Sequence, residues 1–173
     1  MVDTKIINQR SRFLNKVTFP SVIKSYFGSV GEEVFKVEDR KQLEEILKEY
    51  SPSGLLTQEL LAGSEDIRVI VLGGRAVGAM KRIAPEGKFL TSYSAGGKVE
   101  VFSLTKEVRK LAEATAAFNL EYAGVDLMMG NDGKWRILEV NRSCHFRGFE
   151  LVIGMNFAGR VIDYLRERKF KNG

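Results

Sequence analysis

The chain of 173 residues contains one cysteine, one histidine, one tryptophan and three prolines. A single cysteine, Cys144, excludes an intrachain disulfide and a zinc site built from several cysteines. Because His145 is the only histidine, neither a histidine-based metal centre nor a Ser-His-Asp catalytic group is expected. Any metal ligands should therefore be carboxylates, and a reducing, cytoplasmic location is the default expectation.

Long apolar runs are also missing. No stretch is long enough to span a bilayer, and the first residues, MVDTKIINQRSRF, lack the apolar centre of a signal peptide. No membrane association is therefore expected. Hydrophobic residues make up 44% of the chain, which suffices for one ordinary domain or for two small lobes.

The formal net charge is +5, which suits an anionic ligand such as a nucleotide and permits contact with nucleic acid. The basic residues are spread along the chain. Their one cluster, residues 166–173, is more typical of a solvated helix end than of a binding arm. Binding to nucleic acid is therefore a hypothesis that rests on net charge alone.

Apolar periodicity predicts strands mixed with helices. The predicted strands are 20–25, 33–37, 55–61, 67–73 and 75–82, the last two joined by a hairpin at Gly73-Gly74. The predicted helices are 39–50, capped by Asp39, 105–120, started by Thr105, and 156–168, with Phe157, Ala158, Val161, Ile162 and Leu165 facing inward. Hairpins mixed with helices favour an α+β fold over a doubly wound sheet.

The segment GVDLMMGNDGKWRILEVN, residues 124–141, predicts another hairpin, with Asp132-Gly133 as a two-residue type I′ turn. Counting outward from that turn pairs Asn131 with Lys134 and Leu127 with Leu138, and it places Asp126 opposite Glu139. Asn141 then shares the face of Glu139. The opposite, core-facing side carries Val125, Leu127, Leu138 and Val140.

Two directly opposed carboxylates about 5 Å apart repel by about 3 kcal/mol at an effective dielectric near 20. A lysine or arginine could offset this repulsion, as could a proton shared by the pair or a hard divalent cation. The oxygen ligands of Asp126, Glu139 and Asn141 suit Mg²⁺ or Mn²⁺. The alternative is an exposed hairpin whose charges are solvated.

The glycine-containing loop GSVG, residues 28–31, lies between two predicted strands. It is therefore neither a Walker loop nor a dinucleotide fingerprint, since both need a helix N-terminus to receive the phosphate. A flap between strands can still lay backbone N–H groups over phosphates, and Lys24 at the end of the preceding strand could reach them. The alternative is an ordinary hairpin turn with an exposed lysine.

The order and spacing of VIK, GSVG, QE, DIR, GG, GVD and EVN, over roughly residues 18 to 166, resemble the ATP-grasp superfamily. The branch most similar in these motifs is that of the ribosomal-protein glutamate ligases and the related lysine-biosynthesis ligases. The resemblance implies an ATP-grasp fold of two α+β lobes with the nucleotide cleft between them. It divides the chain into a short N-terminal segment (1–17), a small lobe with the glycine flap (18–58) and a large lobe with the metal hairpin (59–173).

The same resemblance implies roles for individual residues. Lys24 and Arg82 would act in catalysis, close to the phosphates of ATP and the reacting carboxylate. The nucleotide would be bound by Lys24, by the flap residues Gly28, Ser29 and Gly31, by Gln58, Glu59 and Leu60 at the hinge, and by Asp66, Thr91 and Ser92. Substrate would be bound by Arg68, Arg82, Arg142 and His145, and Mg²⁺ or Mn²⁺ by Asp126, Glu139 and Asn141.

The implied reaction activates a carboxylate as an acyl phosphate at the expense of ATP, and an amine then attacks to form an amide. The substrates would be an amino acid and a carboxylate acceptor. Arginines near the expected cleft, Arg68, Arg82, Arg142 and Arg147, suggest an acidic peptide or a carrier protein as acceptor. The competing hypothesis is a non-catalytic remnant that binds a nucleotide or a partner protein.

Several positions depart from the family pattern. Ser92 and Ala95 lie where the family usually has asparagine and arginine, and residues 143–148 replace a Ser-Pro-Gly type loop. Relatives usually carry a further domain ahead of this region, and the segment before Phe19 is too short to be that domain. A partner domain or a homo-oligomer is one way to complete the site. Cys144 and His145 are adjacent on an extended segment and are therefore not expected to pair.

Overall fold

The computed structural model describes residues 1–6, 14–26, 33–91 and 96–171. These residues fall into two compact units, Met1–Ala62 and Gly63–Gly173. The predicted glycine flap with Gly28, Ser29 and Gly31 lies outside the described residues, as does Ser92. The division after residue 58 stays a prediction. Within the described part of the chain, no helix combines the length and the apolarity needed to cross a membrane.

The first unit is built on a four-stranded antiparallel sheet with the strand order β1-β4-β2-β3. Its strands are β1 (Thr4–Ile6), β2 (Ser21–Ser25), β3 (Val34–Val37) and β4 (Leu55–Glu59), and helix α1 spans Arg40–Glu49. As predicted, Asp39 caps α1, because its side chain accepts a hydrogen bond from the Gln42 amide at 2.9 Å. Leu43 and Leu47 of α1 pack on Ile23, Val37 and Leu55 of the sheet.

The second unit contains a five-stranded antiparallel sheet with the order β7-β6-β5-β8-β9. Its strands are β5 (Glu65–Leu72), β6 (Arg75–Ile83), β7 (Lys98–Phe102), β8 (Tyr122–Met129) and β9 (Trp135–Asn141). Its helices are α2 (Lys106–Glu113), α3 (Arg147–Ile153) and α4 (Phe157–Lys171). Thr105 caps α2 as predicted, with its hydroxyl accepting from the Val108 amide at 3.2 Å.

Alternation along β5 gives the five-stranded sheet two different faces. Ile67, Val69 and Val71 point to one face, where Val108 and Ala112 of α2 cover them. Ile70 and Leu72 point to the other face and pack with Phe149 of α3 and Phe157 of α4. Asp66 and Arg68 share that second face, which is therefore apolar at one end and charged at the other.

Helix α4 turns a different face inward than its apolar residues predict. Phe157 is buried and Val161 and Tyr164 pack against the core, whereas the side chains of Ile162 and Leu165 are 51% and 58% exposed.

Polar contacts lie on the same side of α4 as the buried Phe157. The Tyr164 hydroxyl donates to Glu121, the residue just before β8, and Arg168 forms an ion pair with the same carboxylate. These contacts lie on the same side of α4 as Phe157 and Val161, which pack in the core, and Ala158, Ile162 and Leu165 face outward.

Candidate functional site

The hairpin of β8 and β9 places Asp126 directly opposite Glu139, as predicted. The predicted turn is wrong, however. The Gly130 amide donates to the Lys134 carbonyl at 2.9 Å, so the loop has three residues, 131–133, and only Gly133 has a positive φ, of 73°. A bulge between Asp126 and Leu127 then adds a residue to β9, so that Leu127 pairs with Ile137 rather than Leu138. The longer loop and the bulge shift the register by one residue in opposite directions, so Asp126 still pairs with Glu139.

Arginine side chains offset the repulsion between these carboxylates. The guanidinium of Arg68, which lies opposite Asp126 on β5, makes a two-pronged contact with that carboxylate, at 2.7 Å from Nε to Oδ1 and 2.6 Å from Nη2 to Oδ2. The same Nη2 lies 3.9 Å from Oε1 of Glu139. Arg68 thus supplies one of the positive groups that the sequence leaves open.

A second arginine extends this arrangement. Arg82 on β6 makes a two-pronged contact with Asp66 on β5, both at 2.7 Å, and its Nη2 also lies 2.9 Å from Oδ2 of Asp126. The Thr91 hydroxyl donates to the same Asp66 carboxylate. The result is a charged row across β6, β5, β8 and β9, in which contacts join groups of opposite charge in the order Asp66, Arg82, Asp126, Arg68 and Glu139.

Burial and charge act against each other in the charged row. Burial alone would raise the pKa of Asp126, but Arg82 and Arg68 outweigh it and hold that pKa below its ordinary value. Burial raises the pKa of Asp66, which Arg82 only partly offsets. Burial would lower the pKa of Arg82, but the carboxylates of Asp126 and Asp66 outweigh burial and raise that pKa above its ordinary value. Both arginines therefore stay charged at all working pH values.

Glu139 and Asn141 form the exposed end of the site. The Asn141 amide donates to Oε1 of Glu139 at 2.7 Å, and the Glu139 side chain is 47% exposed. These two residues offer oxygen donors on one face of β9, which is chemistry that Mg²⁺ or Mn²⁺ accepts. The residue types of Asp126, Glu139 and Asn141 fit such a cation, but both oxygens of Asp126 are bound to arginine. Among the described residues, no group of three or more His, Cys, Asp and Glu is arranged to hold a metal.

The segment after β9 carries the remaining predicted substrate contacts. Arg142 and His145 are exposed, while Cys144 between them is buried. The Cys144 thiol lies 2.8 Å from the Tyr122 hydroxyl, and burial raises its pKa, so it is a packed thiol rather than a nucleophile. Cys144 is thus buried while the neighbouring His145 is exposed.

Gly124 explains how Cys144 reaches its place. A Cβ on Gly124 would lie 2.6 Å from the Sγ of Cys144, which is closer than real contacts allow. Because Gly124 lies opposite Asn141, this glycine lets the segment after β9 fold back over β8.

The predicted nucleotide contacts of the first unit lie on its sheet. Lys24 is half-buried on β2, between Val34 and Leu56 of the neighbouring strands. Gln58 is buried on β4 and donates from its side chain to the Thr4 hydroxyl at 3.1 Å, while Leu60 follows the strand. The Glu59 amide donates to the Asp3 carbonyl at 3.1 Å, so that N–H group is already used within the sheet.

The ion pairs of the charged row are what the sequence reasoning missed. A two-residue Gly73-Gly74 loop alone would place Asp66 opposite Lys81. The bulge at Ile70 and Val71 adds one residue to β6 and brings Arg82 opposite Asp66 instead. The opposite charges of Asp66, Arg68 and Arg82 on neighbouring strands could have indicated ion pairs. Which residues pair, however, depends on that bulge.

The model of the family described as "RimK-like ATP-grasp domain" matches residues 4–165. The "Probable alpha-L-glutamate ligase" of Pseudoalteromonas translucida is 37% identical over 159 residues, which cover 89% of this chain and 52% of that protein. The protein of the same name from Methanococcoides burtonii is 37% identical over 153 residues, covering 86% and 50%. The chain thus spans about half the length of the curated relatives it matches.

Solved structures support the same fold. The ATP-grasp ligase PsnB, in a complex with a phosphomimetic variant of its minimal precursor, Mg and ADP, matches with a TM-score of 0.71 and 26% identity, covering 97% of this chain and 53% of that one. The D-alanine–D-alanine ligase of Bacillus anthracis matches with a TM-score of 0.70 and 23% identity over 98% of this chain and 64% of that one, which shows the fold alone. The α+β, ATP-grasp prediction is confirmed.

Proposed function

The chain belongs to the RimK-like ATP-grasp domain family, and from this membership we propose that it carries the nucleotide and metal site of an ATP-dependent ligase that joins an amino acid to a carboxylate. The observation that carries the proposal is the charged row, in which Asp126 and Glu139 lie directly opposite each other on the paired strands β8 and β9. No protein nucleophile is needed for such a reaction, in keeping with the buried Cys144 and exposed His145.

The proposed division of labour follows from exposure. Glu139 and Asn141, together with Asp126, would hold Mg²⁺ or Mn²⁺, which when bound would neutralise phosphate charge. Arg82 is fixed by two carboxylates, so its guanidinium is preorganised to stabilise negative charge without reorienting. Lys24 would supply a point charge to the phosphates. Gln58, Glu59 and Leu60 would bind adenine, but not through the Glu59 amide, because that N–H group already donates to the Asp3 carbonyl.

In the proposed reaction, an oxygen of the acceptor carboxylate attacks the γ-phosphorus of ATP, and the bond from that phosphorus to the bridging oxygen of ADP breaks. The amine of the second substrate then attacks the acyl carbon, phosphate leaves, and the amine loses a proton. The residues of the charged row contribute by holding positive groups where charge develops rather than by forming bonds.

An acidic acceptor is part of the proposal. Of the four arginines that suggested it, Arg68 and Arg82 are engaged in the charged row, whereas Arg142 and Arg147 are exposed around the start of α3. These two exposed arginines are placed to attract a peptide or carrier protein that ends in carboxylates.

Release of phosphate from ATP tests the proposal. We expect release that requires both an amino acid and a carboxylate acceptor, and that is faster with an acidic peptide than with its amidated, neutral counterpart. Arg142→Ala with Arg147→Ala should remove the preference for the acidic peptide, while Arg75→Ala, at an exposed position at the start of β6, should keep it. Equal rates with both peptides would contradict the acidic acceptor, and a complete lack of acceptor-dependent release would contradict the ligase.

The second candidate function is a remnant that binds a nucleotide or a partner protein without turnover. It is favoured by the engagement of both Asp126 oxygens with arginine and by the serine at position 92, where the family usually has asparagine. Binding of ATP with no release of phosphate under any acceptor condition would support this alternative.

A further inference from the structure

The two arginines of the charged row are attached to Asp126 in different ways. Arg82 makes its two-pronged contact with Asp66 and reaches Asp126 through a single 2.9 Å contact from Nη2. Arg68 makes its two-pronged contact with Asp126 itself, and its remaining carboxylate neighbour is the half-exposed Glu139, at 3.9 Å. Arg82 therefore keeps a full partner if Asp126 is lost, and Arg68 does not.

The neighbours of Asp66 strengthen this difference. Asp66 is buried and also receives the Thr91 hydroxyl, so the pair of Asp66 and Arg82 is held from both sides. The Arg68 side chain is 15% exposed, more than the 10% of Arg82, and it lies between Asp126 and the exposed end of the site. Arg68 is therefore the more accessible of the two arginines and the one nearer to the exposed carboxylate Glu139.

A divalent cation and the Arg68 guanidinium draw on the same two carboxylate oxygens, whose four lone-pair sites at Asp126 already receive three arginine contacts. A carboxylate that accepts a two-pronged contact from arginine turns both oxygens toward it, and a cation that approaches the same oxygens meets a positive charge in their plane. The two positive groups therefore compete at Asp126, while the half-exposed Glu139 offers a further carboxylate beside it.

We propose that the Arg68 guanidinium occupies the position beside Asp126 that a divalent cation would take. Arg68 would give up its two-pronged contact with this carboxylate when the cation binds between Asp126 and Glu139. This inference rests on the proposed function, since it concerns the same metal site. It makes Arg68 a competitor of the cation and Arg82 a fixed member of the site. The exchange keeps Asp126 neutralised both before and after binding.

Binding of Mn²⁺ alone to the chain, measured from the electron paramagnetic resonance signal of the free ion, tests the exchange. Arg68→Met keeps the aliphatic packing and removes the competitor, so we expect Mn²⁺ to bind about tenfold more tightly than to the wild-type chain. Arg109→Met removes one positive charge from α2, away from the charged row, and should leave the affinity unchanged. Glu139→Ala should abolish the binding.

Arg68→Lys gives a second measurement that does not depend on folding of the methionine variant. Lysine replaces the planar two-pronged contact by a single point contact, so its competition should be weaker and its Mn²⁺ affinity should lie between those of the wild-type chain and Arg68→Met.

The outcomes separate this inference from the proposed function. Mn²⁺ binding that depends on Glu139 but is equal or weaker in both Arg68 variants would overturn the exchange and leave the metal site in place. No Mn²⁺ binding by any of the proteins would overturn the metal site and the exchange together.

Discussion

Asp126 is the residue on which the charges of the second unit converge. Its carboxylate is almost fully buried and receives Arg68 at both oxygens and Arg82 at one of them. A buried ion pair of this kind adds little net stability over an apolar core, but removing Asp126 takes away the two-pronged partner of Arg68 and one of the two carboxylates that Arg82 contacts. The sequence indicated that Asp126 faces Glu139, and it left open which positive group lies between them.

The first residue-scale prediction concerns Asp126→Asn. We expect the chain to lose about 3–5 kcal/mol of unfolding free energy, because two buried guanidinium groups lose a common partner. Chemical denaturation at neutral pH measures the change. Asp132→Asn, on the exposed loop of the same hairpin, is the matched control and should change stability little.

The pH dependence supplies a second reading of the same variant. Because the folded-state pKa of Asp126 lies below its unfolded value, its contribution is fully present above an ordinary aspartate pKa of about 3.9 and is lost as the pH falls through the folded value. The stability difference between the wild-type chain and Asp126→Asn should therefore shrink on acidification below about pH 4. A difference that stays constant would show that charge is not its cause.

At the scale of elements, the two hairpins of the five-stranded sheet show what a sequence can predict. The Gly73-Gly74 turn was predicted correctly, since both glycines have positive φ, of 58° and 74°. The Asp132-Gly133 turn was predicted one residue too short, because the loop also includes Asn131. Asp126 still faces Glu139, because the bulge adds one residue, Leu138, to β9 and restores the register.

Bulges limited the prediction of the site more than the order of elements did. A bulge leaves no regular trace in the apolar pattern, because strand alternation resumes after it. Ile137 therefore replaces Leu138 in the core, and Arg82 replaces Lys81 opposite Asp66, without a signal that periodicity reveals. Most strand and helix positions, the caps at Asp39 and Thr105 and the α+β class depend on local patterns and could be predicted, whereas the short elements β1, β7 and α3 were not.

An element-scale prediction compares two glycines with positive φ. Gly133→Ala strains the backbone with open space around the new Cβ and should cost about 1–2 kcal/mol. Gly73→Ala adds a clash, since its Cβ would lie 2.5 Å from the Tyr164 ring of α4, and should cost more. In a Tyr164→Ala background, that excess should disappear in chemical denaturation. An excess that persists would mean that α4 does not pack on this turn.

At the scale of the whole molecule, charge is matched locally rather than gathered on one surface. Within the described residues, ion pairs engage lysines and arginines in both units, from Lys36 with Glu38 to Arg168 with Glu121. The net charge of +5 is therefore a weak argument for nucleic acid, and the charged row gives a more specific reason for an anionic ligand.

Calorimetric titration of ATP into the chain, in Mg²⁺ and in EDTA, tests the central claim most directly. We expect Mg²⁺-dependent binding that is lost in Glu139→Gln and retained in Glu107→Gln, an exposed carboxylate in the first turn of α2. The physical reason is that Glu139 is the most accessible carboxylate of the charged row and would supply a metal oxygen that a neutral amide replaces poorly. No binding in Mg²⁺, or equal binding in the Glu139 variant, would contradict a nucleotide and metal site at this hairpin.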